Sequence, residues 1–299
     1  MRILLLGKNG QVGFELQSTL APLGELMAVD LPDVDFTQLE ALETFTREVK
    51  PDIIVNAAAY TAVDKAESEP DIAMRVNGEA PGVLAEIARE RGIGLVHFST
   101  DYVFDGTKGE PYKEEDTPSP LSVYGVSKLA GDLAIQESGC AYLILRTSWV
   151  YGTRGSNFYL TMLRLARERE EISVVDDQIG CPTWSRSIAQ VTGAILKQGF
   201  HAEQDRFGWG EEISSGLYNY SSSGSTSWYE FASEIIEGDP NPDKHVVQRL
   251  VPISTEAFGA AAARPSYSEL SKKKLQTVFR IPAEGWREQL QDCWVSYKA

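Results

Sequence analysis

A tyrosine and a lysine stand four residues apart in this sequence, in a pattern that could transfer a proton. Tyr124 and Lys128 lie within Val123–Glu137, whose apolar spacing predicts a helix, so their side chains lie one turn apart. A free tyrosine has a pKa near ~10, and a neighbouring ammonium favours tyrosinate and lowers that pKa. The pair could therefore protonate a developing alkoxide, although such pairs also arise by chance on protein surfaces.

A further hydroxyl stands at the end of a predicted strand. Leu95–Phe98 is an apolar run, and Ser99 and Thr100 follow it. A donor at the carboxyl end of a central strand could polarise the same carbonyl that Tyr124 protonates. Taken alone, Thr100 would be an ordinary threonine at a strand end.

Three glycines mark a turn that could hold a phosphate. The apolar run Ile3–Leu6 leads straight into Gly7, Gly10 and Gly13, a variant of the GxGxxG dinucleotide fingerprint. Glycine has no Cβ, so a pyrophosphate can approach the backbone, and the following helix offers free N–H groups and a positive dipole end. This order of strand, turn and helix predicts a dinucleotide site.

Two residues give conflicting indications about the coenzyme. Asp30 ends the second predicted strand about 20 residues further on, where a carboxylate can accept hydrogen bonds from the ribose hydroxyls, which favours NADH. Lys8 could instead meet a 2′-phosphate, or be a solvated surface lysine. The choice between NADH and NADPH stays open. An oxidised nicotinamide would add positive charge beside Tyr124 and lower its pKa further.

Small residues follow the third predicted strand. Ile53–Val55 is followed by Asn56 and then by the alanines 57–59. Ligands of parallel sheets sit at the carboxyl ends of strands, so small side chains here leave room for a ligand, or else for close helix packing. With the glycine turn, Thr100 and the Tyr124–Lys128 pair, they predict a hydride-transfer site.

These groups require a sheet that brings strand ends together. Short apolar runs alternate with helical patterns through the first half, which predicts a Rossmann-type, doubly wound α/β fold with parallel strands. The predicted strands are Ile3–Leu6, Leu26–Val29, Ile53–Val55, Leu95–Phe98 and Tyr142–Leu145, and the predicted helices are Gln11–Leu20, Leu39–Val49, Glu79–Arg91 and Val123–Glu137.

The rhythm changes after residue 150. We expect a dinucleotide-binding domain over 1–150, joined by a returning segment near 185–220, and a smaller α/β substrate lobe over most of 151–299. Its predicted elements are helices Phe158–Arg169, Ser185–Lys197 and Trp228–Ile236, a strand Ser173–Val175, a polar stretch His201–Gly216 and a serine-rich loop that caps the last helix.

Composition limits the classes of partner. The 299 residues carry a net charge of -15, which argues against nucleic acid and anionic membranes. Three cysteines without metal or disulfide spacing fit reduced structural thiols. The apolar start ends at Gly7, too early for a signal peptide, and no run reaches the ~18 apolar residues of a membrane helix. We expect a cytoplasmic protein.

With these motifs together, the chain resembles the extended short-chain dehydrogenase/reductase family, and within it the dTDP-4-dehydrorhamnose reductases. The resemblance spans essentially the whole chain. The matching stretches are 7–13, 55–67, 99–106, 119–121 with Tyr124, Gly125 and Lys128, 146–151, 177–178, 182–183 and 263–265.

The resemblance implies NAD(P)H-dependent reduction of the 4-keto group of dTDP-4-dehydro-β-L-rhamnose. It implies that Tyr124, Lys128 and Thr100 are catalytic. The implied cofactor-binding residues are Gly7, Gly10, Gln11, Val12, Gly13, Asp30, Asp35, Phe36, Ala57, Ala59, Tyr60, Thr61, Tyr102, Tyr124 and Lys128. The implied substrate-binding residues are Thr100, Asp101, Trp149, Asn157 and Arg264, with core packing as the alternative for Trp149.

Two departures from related patterns bear on reaction and assembly. Similar dehydratases carry Asp-Glu after the threonine, whereas Asp101 is followed here by Tyr102, which favours a reductase. Some similar proteins are dimers bridged by magnesium through two acidic positions. Glu15 occupies the first, where it could also be a solvated helix carboxylate, but Arg186 occupies the second and cannot bind a cation. We therefore expect no metal, and either a monomer or a homodimer.

Two other functions remain open. The chain also resembles the β subunit of methionine adenosyltransferase, an NADP-binding regulatory protein without turnover. It could also be a reductase or epimerase of another nucleotide sugar. The intact set of Tyr124, Lys128 and Thr100 favours the reductase.

Overall fold

The computed structural model describes residues 1–201, 206–207 and 215–297. Its strands, in chain order, are β1 Arg2–Leu6, β2 Glu25–Val29, β3 Ile53–Asn56, β4 Gly94–Thr100, β5 Ala141–Thr147, β6 Val150–Tyr151, β7 Glu171–Val175, β8 Ile179–Gly180, β9 Thr183–Trp184, β10 Phe200–His201, β11 Arg206–Phe207, β12 Gly216–Asn219, β13 Thr226–Ser227 and β14 Arg249–Ile253.

The α-helices alternate with these strands through the first half and cluster in the second. They are α1 Gln11–Leu20, α2 Leu39–Val49, α3 Val63–Ala66, α4 Pro70–Met74, α5 Ala80–Arg91, α6 Val123–Ser138, α7 Phe158–Glu168, α8 Ser185–Gln198, α9 Trp228–Glu237, α10 Thr255–Phe258, α11 Lys273–Phe279 and α12 Trp286–Ser296. One π-helical turn, Arg75–Glu79, precedes α5.

Six strands form the central sheet in the order β12-β5-β4-β3-β1-β2, and every neighbouring pair is parallel. The predicted doubly wound α/β fold is confirmed, and each of the five predicted strands is present. Their ends lie up to two residues beyond the predicted limits, because buried polar residues such as Ser99 and Arg146 continue the hydrogen-bonded ladder. The sixth strand, β12, comes from the C-terminal half.

Apolar layers cover both faces of this sheet. Leu16 of α1 and Ile188 of α8 pack on one face with Val96 of β4. Leu84 of α5 and Ile135 of α6 pack on the other. A strand buried on both faces needs apolar side chains in both directions, which explains why β4 reads as an almost continuous hydrophobic run.

The elements after residue 150 form a second apolar cluster around Tyr159, Phe231 and Trp286. There β7 pairs with β14 in parallel. The predicted strand and helices are present here with small shifts in their ends, and the hydroxyl of Ser227 caps α9 by accepting the Glu230 N–H. Most of the predicted polar stretch His201–Gly216 lies outside the described residues.

The division at residue 150 stays a prediction, but two elements of the second half contact the first. The strand β12 pairs with β5. Helix α8 packs on α1 so closely that a Cβ on Gly193 would lie 2.9 Å from the Thr19 side chain. In the part of the chain that the structure describes, no helix is long and apolar enough to cross a membrane.

Candidate active site

The glycine turn brings the ends of β1 and β3 together. Gly7 has a φ of +86°, and a Cβ on it would lie 2.5 Å from the backbone nitrogen of Ala58. A Cβ on Gly13 would lie 1.9 Å from the carbonyl oxygen of Gly7, so this glycine serves helix packing. Gly10 caps α1 without a side-chain hydrogen bond, which leaves the first N–H groups of the helix free for an anion.

A cleft of about 560 Å³ runs along the carboxyl ends of the central strands. Thirteen of the fifteen predicted cofactor residues line it: Gly7, Gly10, Gln11, Val12, Asp30, Asp35, Phe36, Ala57, Ala59, Tyr60, Thr61, Tyr124 and Lys128. Gly13 and Tyr102 do not line it. The donors, the glycine cradle and the apolar walls fit a dinucleotide that crosses the sheet edge.

Other residues that line the cleft were not predicted. Thr147 ends β5 as Thr100 ends β4, and its buried hydroxyl has no hydrogen-bond partner in the described structure. The rule that ligands lie at the carboxyl ends of strands would have identified it. Val150 begins β6, Gly155 and Ser156 lie between β6 and α7, and no spacing pattern in the sequence marks the three as cleft residues.

The carboxylate of Asp30 is held rigidly beside the glycine turn. It accepts the N–H of Asn9 at 2.9 Å and the N–H of Leu31 at 2.8 Å. Lys8 binds Asp33 instead of pointing free, with Nζ 2.6 Å from the carboxylate, and this contact lowers the pKa of Asp33. The charge that could attract a 2′-phosphate is therefore already paired.

Tyr124 is a buried phenol, and burial raises its pKa to about 12. Contact with the Thr100 hydroxyl acts in the opposite direction, and no lowering comes from Lys128. The prediction that the lysine lowers the pKa of Tyr124 is thus not what the structure shows. The ammonium of Lys128 points instead to His97 Nε2 at 3.0 Å and to the Phe98 carbonyl oxygen at 2.7 Å.

Burial also shifts the pKa values of Lys128 and Asp101, which lie beside the predicted acid and the predicted hydroxyl donor. The pKa of Lys128 is lowered to about 8 by desolvation, against the attraction of Asp132. The Thr100 hydroxyl donates to Asp101 Oδ1 at 3.0 Å and accepts the Tyr102 N–H at 3.2 Å. Asp101 is almost fully buried, and desolvation raises its pKa to about 7. Asp101 Oδ2 has no partner in the described structure.

Tyr102 connects this set to the C-terminal segment. Its ring meets the ring of Tyr124 edge to face, with centroids 5.4 Å apart. Arg264 lies beside Tyr102, and its guanidinium is held by the Asp64 carboxylate at 2.8 and 3.1 Å. The cofactor role predicted for Tyr102 therefore has no direct support from the cleft, whereas Tyr102 does pack against the proposed acid.

Trp149 and Asn157, predicted to touch the substrate, already have partners within the protein. The Trp149 ring stacks on Trp228 with centroids 3.5 Å apart, and its backbone φ is +46°. A Cβ on Gly180 would lie 2.4 Å from that ring. Asn157 caps α7 by accepting the Leu160 N–H and donates to Gln11 Oε1 at 2.8 Å. Asn157 thus holds a glutamine that lines the cleft.

The two positions considered for magnesium bind each other. Arg186 Nε lies 2.9 Å from Glu15 Oε2, and Glu15 is buried, so the alternative of a solvated carboxylate is wrong. Arg186 also donates to Ser296 and lies over the Trp184 ring. Within residues 1–201, 206–207 and 215–297, no group of three or more His, Cys, Asp or Glu side chains could hold a metal ion.

Comparisons with known proteins agree with this geometry. A family model described as "RmlD substrate binding domain" matches residues 1–298. The chain is 46% identical to a dTDP-4-dehydrorhamnose reductase of Burkholderia thailandensis, with 98% of each covered. It is 43% identical to the dTDP-4-dehydrorhamnose reductase of Escherichia coli K12, and the match covers 96% of this chain and 95% of the relative.

A solved structure is similar over the whole length. It is the dTDP-4-dehydrorhamnose reductase of Bacillus anthracis in complex with NADP, which is 38% identical to this chain and superposes on it with a TM-score of 0.86. The superposition covers 99% of each chain. The resemblance inferred from the motifs is therefore confirmed. The chain belongs to the RmlD substrate binding domain family, together with these dTDP-4-dehydrorhamnose reductases.

Proposed function

We propose that this protein is an NAD(P)H-dependent reductase that converts dTDP-4-dehydro-β-L-rhamnose to dTDP-β-L-rhamnose. The observation that carries the proposal is the buried Tyr124 phenol at one end of a dinucleotide-shaped cleft that begins at the Gly7 turn. The two dTDP-4-dehydrorhamnose reductases at 46% and 43% identity support this substrate, and the Bacillus anthracis structure in complex with NADP supports this cofactor.

The cofactor supplies the hydride when it is bound. The free N–H groups at the start of α1 would hold its pyrophosphate, and Asp30 would accept a ribose hydroxyl. Gln11, fixed by Asn157, and the alanines after β3 would line the path between them. The protein contributes orientation and the exclusion of water.

Tyr124 is the acid of the proposed reaction. A pKa of about 12 keeps the phenol protonated at neutral pH, which is the form needed to give a proton to the new alkoxide. Thr100, in contact with Tyr124, would polarise the carbonyl oxygen before transfer. Lys128 would orient the ribose with the one N–H that His97 and Phe98 leave available.

The sugar and its nucleotide would lie beyond Tyr124, against the C-terminal lobe. Thr100 and Asp101 would contact the sugar, Trp149 would pack against it and Arg264 would bind the pyrophosphate in a fork. Asn157 would act through Gln11. We further propose a division at residue 150 between the two binding halves, and a cytoplasmic location, which fits three buried cysteines with free thiols.

The direct test mixes the purified chain with NADPH and dTDP-4-dehydro-β-L-rhamnose and follows the loss of NADPH absorbance. Tyr124→Phe should lower kcat by about 10²- to 10⁴-fold while NADPH still binds. Tyr142→Phe, on β5 and away from the cleft lining, is the matched control and should behave like the parent. Near-normal turnover of Tyr124→Phe would refute the assignment of the acid.

The same experiment separates the rival functions. A regulatory protein would bind NADPH but oxidise none with any keto sugar. A reductase or epimerase of another nucleotide sugar would leave dTDP-4-dehydro-β-L-rhamnose unchanged and act on a different base or sugar. The protonated Tyr124 beside Thr100 favours turnover over binding alone.

A further inference from the structure

A fully buried histidine lies under the proposed catalytic lysine, inside the central sheet. His97 belongs to β4, opposite Asn56 of β3 and Ile144 of β5, and none of its surface is exposed. Leu95, two residues earlier on the same face, packs in an apolar layer with α5 and α6. An imidazole in such a layer costs desolvation free energy unless its nitrogens are hydrogen-bonded.

Both ring nitrogens of His97 have polar neighbours. Lys128 Nζ lies 3.0 Å from Nε2, and the Asn56 amide lies 3.2 Å from Nδ1. Lys128 Nζ also lies 2.7 Å from the Phe98 carbonyl oxygen. A lysine ammonium has three N–H donors, so these contacts use two and leave one for the cleft that Lys128 lines.

The ring is neutral and so can accept a hydrogen bond. Burial, together with the adjacent Lys128 charge, lowers the pKa of His97 well below its usual value. A neutral imidazole accepts through one nitrogen and donates through the other. If Nε2 accepts from the Lys128 ammonium, Nδ1 carries the hydrogen and faces the Asn56 side chain, whose amide can present its oxygen.

We propose that His97 is a positioning residue that accepts a hydrogen bond from Lys128 and so keeps the ammonium charged and pointed into the cleft. The proposal rests on the proposed function, which gives Lys128 its task. The other charged and titratable groups near Lys128 are Asp132, one turn further along α6, and Tyr124, one turn before it. Asp132 is itself bound by Ser99 and Arg146, so His97 and Phe98 are the neutral acceptors that hold Nζ.

Two amide variants separate the two sides of the ring. Glutamine at position 97 can present an oxygen near the Nε2 position, whereas asparagine reaches only the Nδ1 position. His97→Gln should therefore keep the pH profile of the parent. In the parent we expect kcat to be lost on the alkaline side near the Lys128 pKa of about 8, and His97→Asn should move this loss to lower pH by about one to two units.

A readout without cofactor or substrate decides the proposal independently of turnover. In ¹⁵N-lysine-labelled, ligand-free protein, the Nζ signal of Lys128, assigned with Lys128→Arg, should titrate about one to two units lower in His97→Asn than in His97→Gln. In ¹⁵N-histidine-labelled parent protein at neutral pH, Nε2 of His97 should have the shift of an unprotonated nitrogen.

Three results would overturn the inference: a protonated Nε2, an unchanged Lys128 titration in His97→Asn, or equal pH profiles in the two amide variants. The parent protein needs no substitution for the tautomer measurement, so misfolding of a variant cannot hide the answer. If the parent turns over no keto sugar but the Lys128 titration still shifts, the proposed function fails while the positioning of Lys128 by His97 stands.

Discussion

Arg264 and Asp64 lie 200 residues apart in sequence, yet they form a bidentate ion pair. Arg264 Nη2 lies 2.8 Å from Asp64 Oδ2, and Nη1 lies 3.1 Å from Oδ1. The same carboxylate accepts the N–H of Ala262, so it holds both the side chain and the backbone of the C-terminal segment. The pair therefore joins α3 to the segment proposed to contact the substrate pyrophosphate. It lowers the pKa of Asp64 and lies beside Tyr102.

We expect Asp64→Asn to raise the KM for the nucleotide sugar by about 2- to 5-fold with little change in the Kd for NADPH. Asp64 is half exposed, and ion pairs of this kind contribute about 0.2–1 kcal/mol. Steady-state kinetics with the sugar varied, and a fluorescence titration with NADPH, measure the two effects. Glu171→Gln, which breaks an exposed pair with Arg249 on β14, should change neither. An equal loss of NADPH affinity would contradict the assignment of Arg264 to the sugar nucleotide.

Thr100→Val should lower kcat by about 100-fold, because it removes one donor that would polarise the keto oxygen. Thr100→Ser keeps the hydroxyl and should stay within about threefold of the parent. The serine variant also keeps the hydrogen bond from the Tyr102 N–H, so the comparison separates loss of the hydroxyl from the mere change of residue. Equal rates in the two variants would show that the hydroxyl of Thr100 takes no part in catalysis.

Gly7→Ala should destabilise the fold and abolish measurable NADPH binding. Its φ of +86° strains any other residue, and its Cβ would lie 2.5 Å from a backbone atom of Ala58. We expect a loss in the free energy of unfolding of about 2–5 kcal/mol from the two causes together. Gly109→Ala has a φ of +70° but open space around the Cβ, so it should lose only about 1–2 kcal/mol and bind NADPH normally.

Stability should fall as pH rises through the titration of Asp101. Its pKa rises from 3.8 to about 7 on folding, so the folded state binds the proton more tightly than the unfolded state. The resulting stabilisation is present below about pH 4 and is lost between about pH 4 and 7. Asp101→Asn should be more stable than the parent at pH 8, by about 2–4 kcal/mol, and equal to it near pH 4. Urea unfolding at pH 4 and pH 8 measures the free energy of unfolding of both proteins. If that free energy changed with pH in Asp101→Asn as it does in the parent, the prediction would be contradicted.

Chelation should leave the protein unaffected. The Glu15 carboxylate is bound by the Arg186 guanidinium, whose charge repels a cation from the same place. We expect the same kcat and the same mass by light scattering before and after treatment with EDTA. A loss that magnesium restores would show that the pair opens to admit a metal.

The first half of the fold could be predicted from sequence because parallel strands buried on both faces leave apolar runs at regular intervals. The strand β12 was missed because its partner, β5, lies about 70 residues earlier, and short strands carry little pattern of their own. The pairing of β7 with β14 depends on an equally distant contact. Two lysines make contacts of the same distant kind, because Lys272 donates to the Ser222 carbonyl oxygen and Lys274 to the Leu217 carbonyl oxygen.

The candidate site was predictable where residue type and strand position agree, as at Gly7, Thr100 and Tyr124. The directions in which the side chains point, and the extent of their burial, could not be predicted from the sequence. The sequence gives the separation of Tyr124 and Lys128 but not the acceptors of the lysine, His97 and the Phe98 carbonyl oxygen, which belong to β4. In the same way, the hydrogen bond from Asn157 to Gln11 and the ion pair of Glu15 with Arg186 each join side chains that lie far apart in sequence.

The sixth strand of the central sheet has a consequence for the order of folding during synthesis. Because β12 pairs with β5, the outer edge of β5 has no strand partner during synthesis until residue 219 has left the ribosome. Helix α8, which covers α1, also arrives after residue 184. A nascent chain in which β1 to β5 are complete therefore still exposes the unpaired edge of β5 and the apolar face of α1. A holding chaperone would bind at these two places.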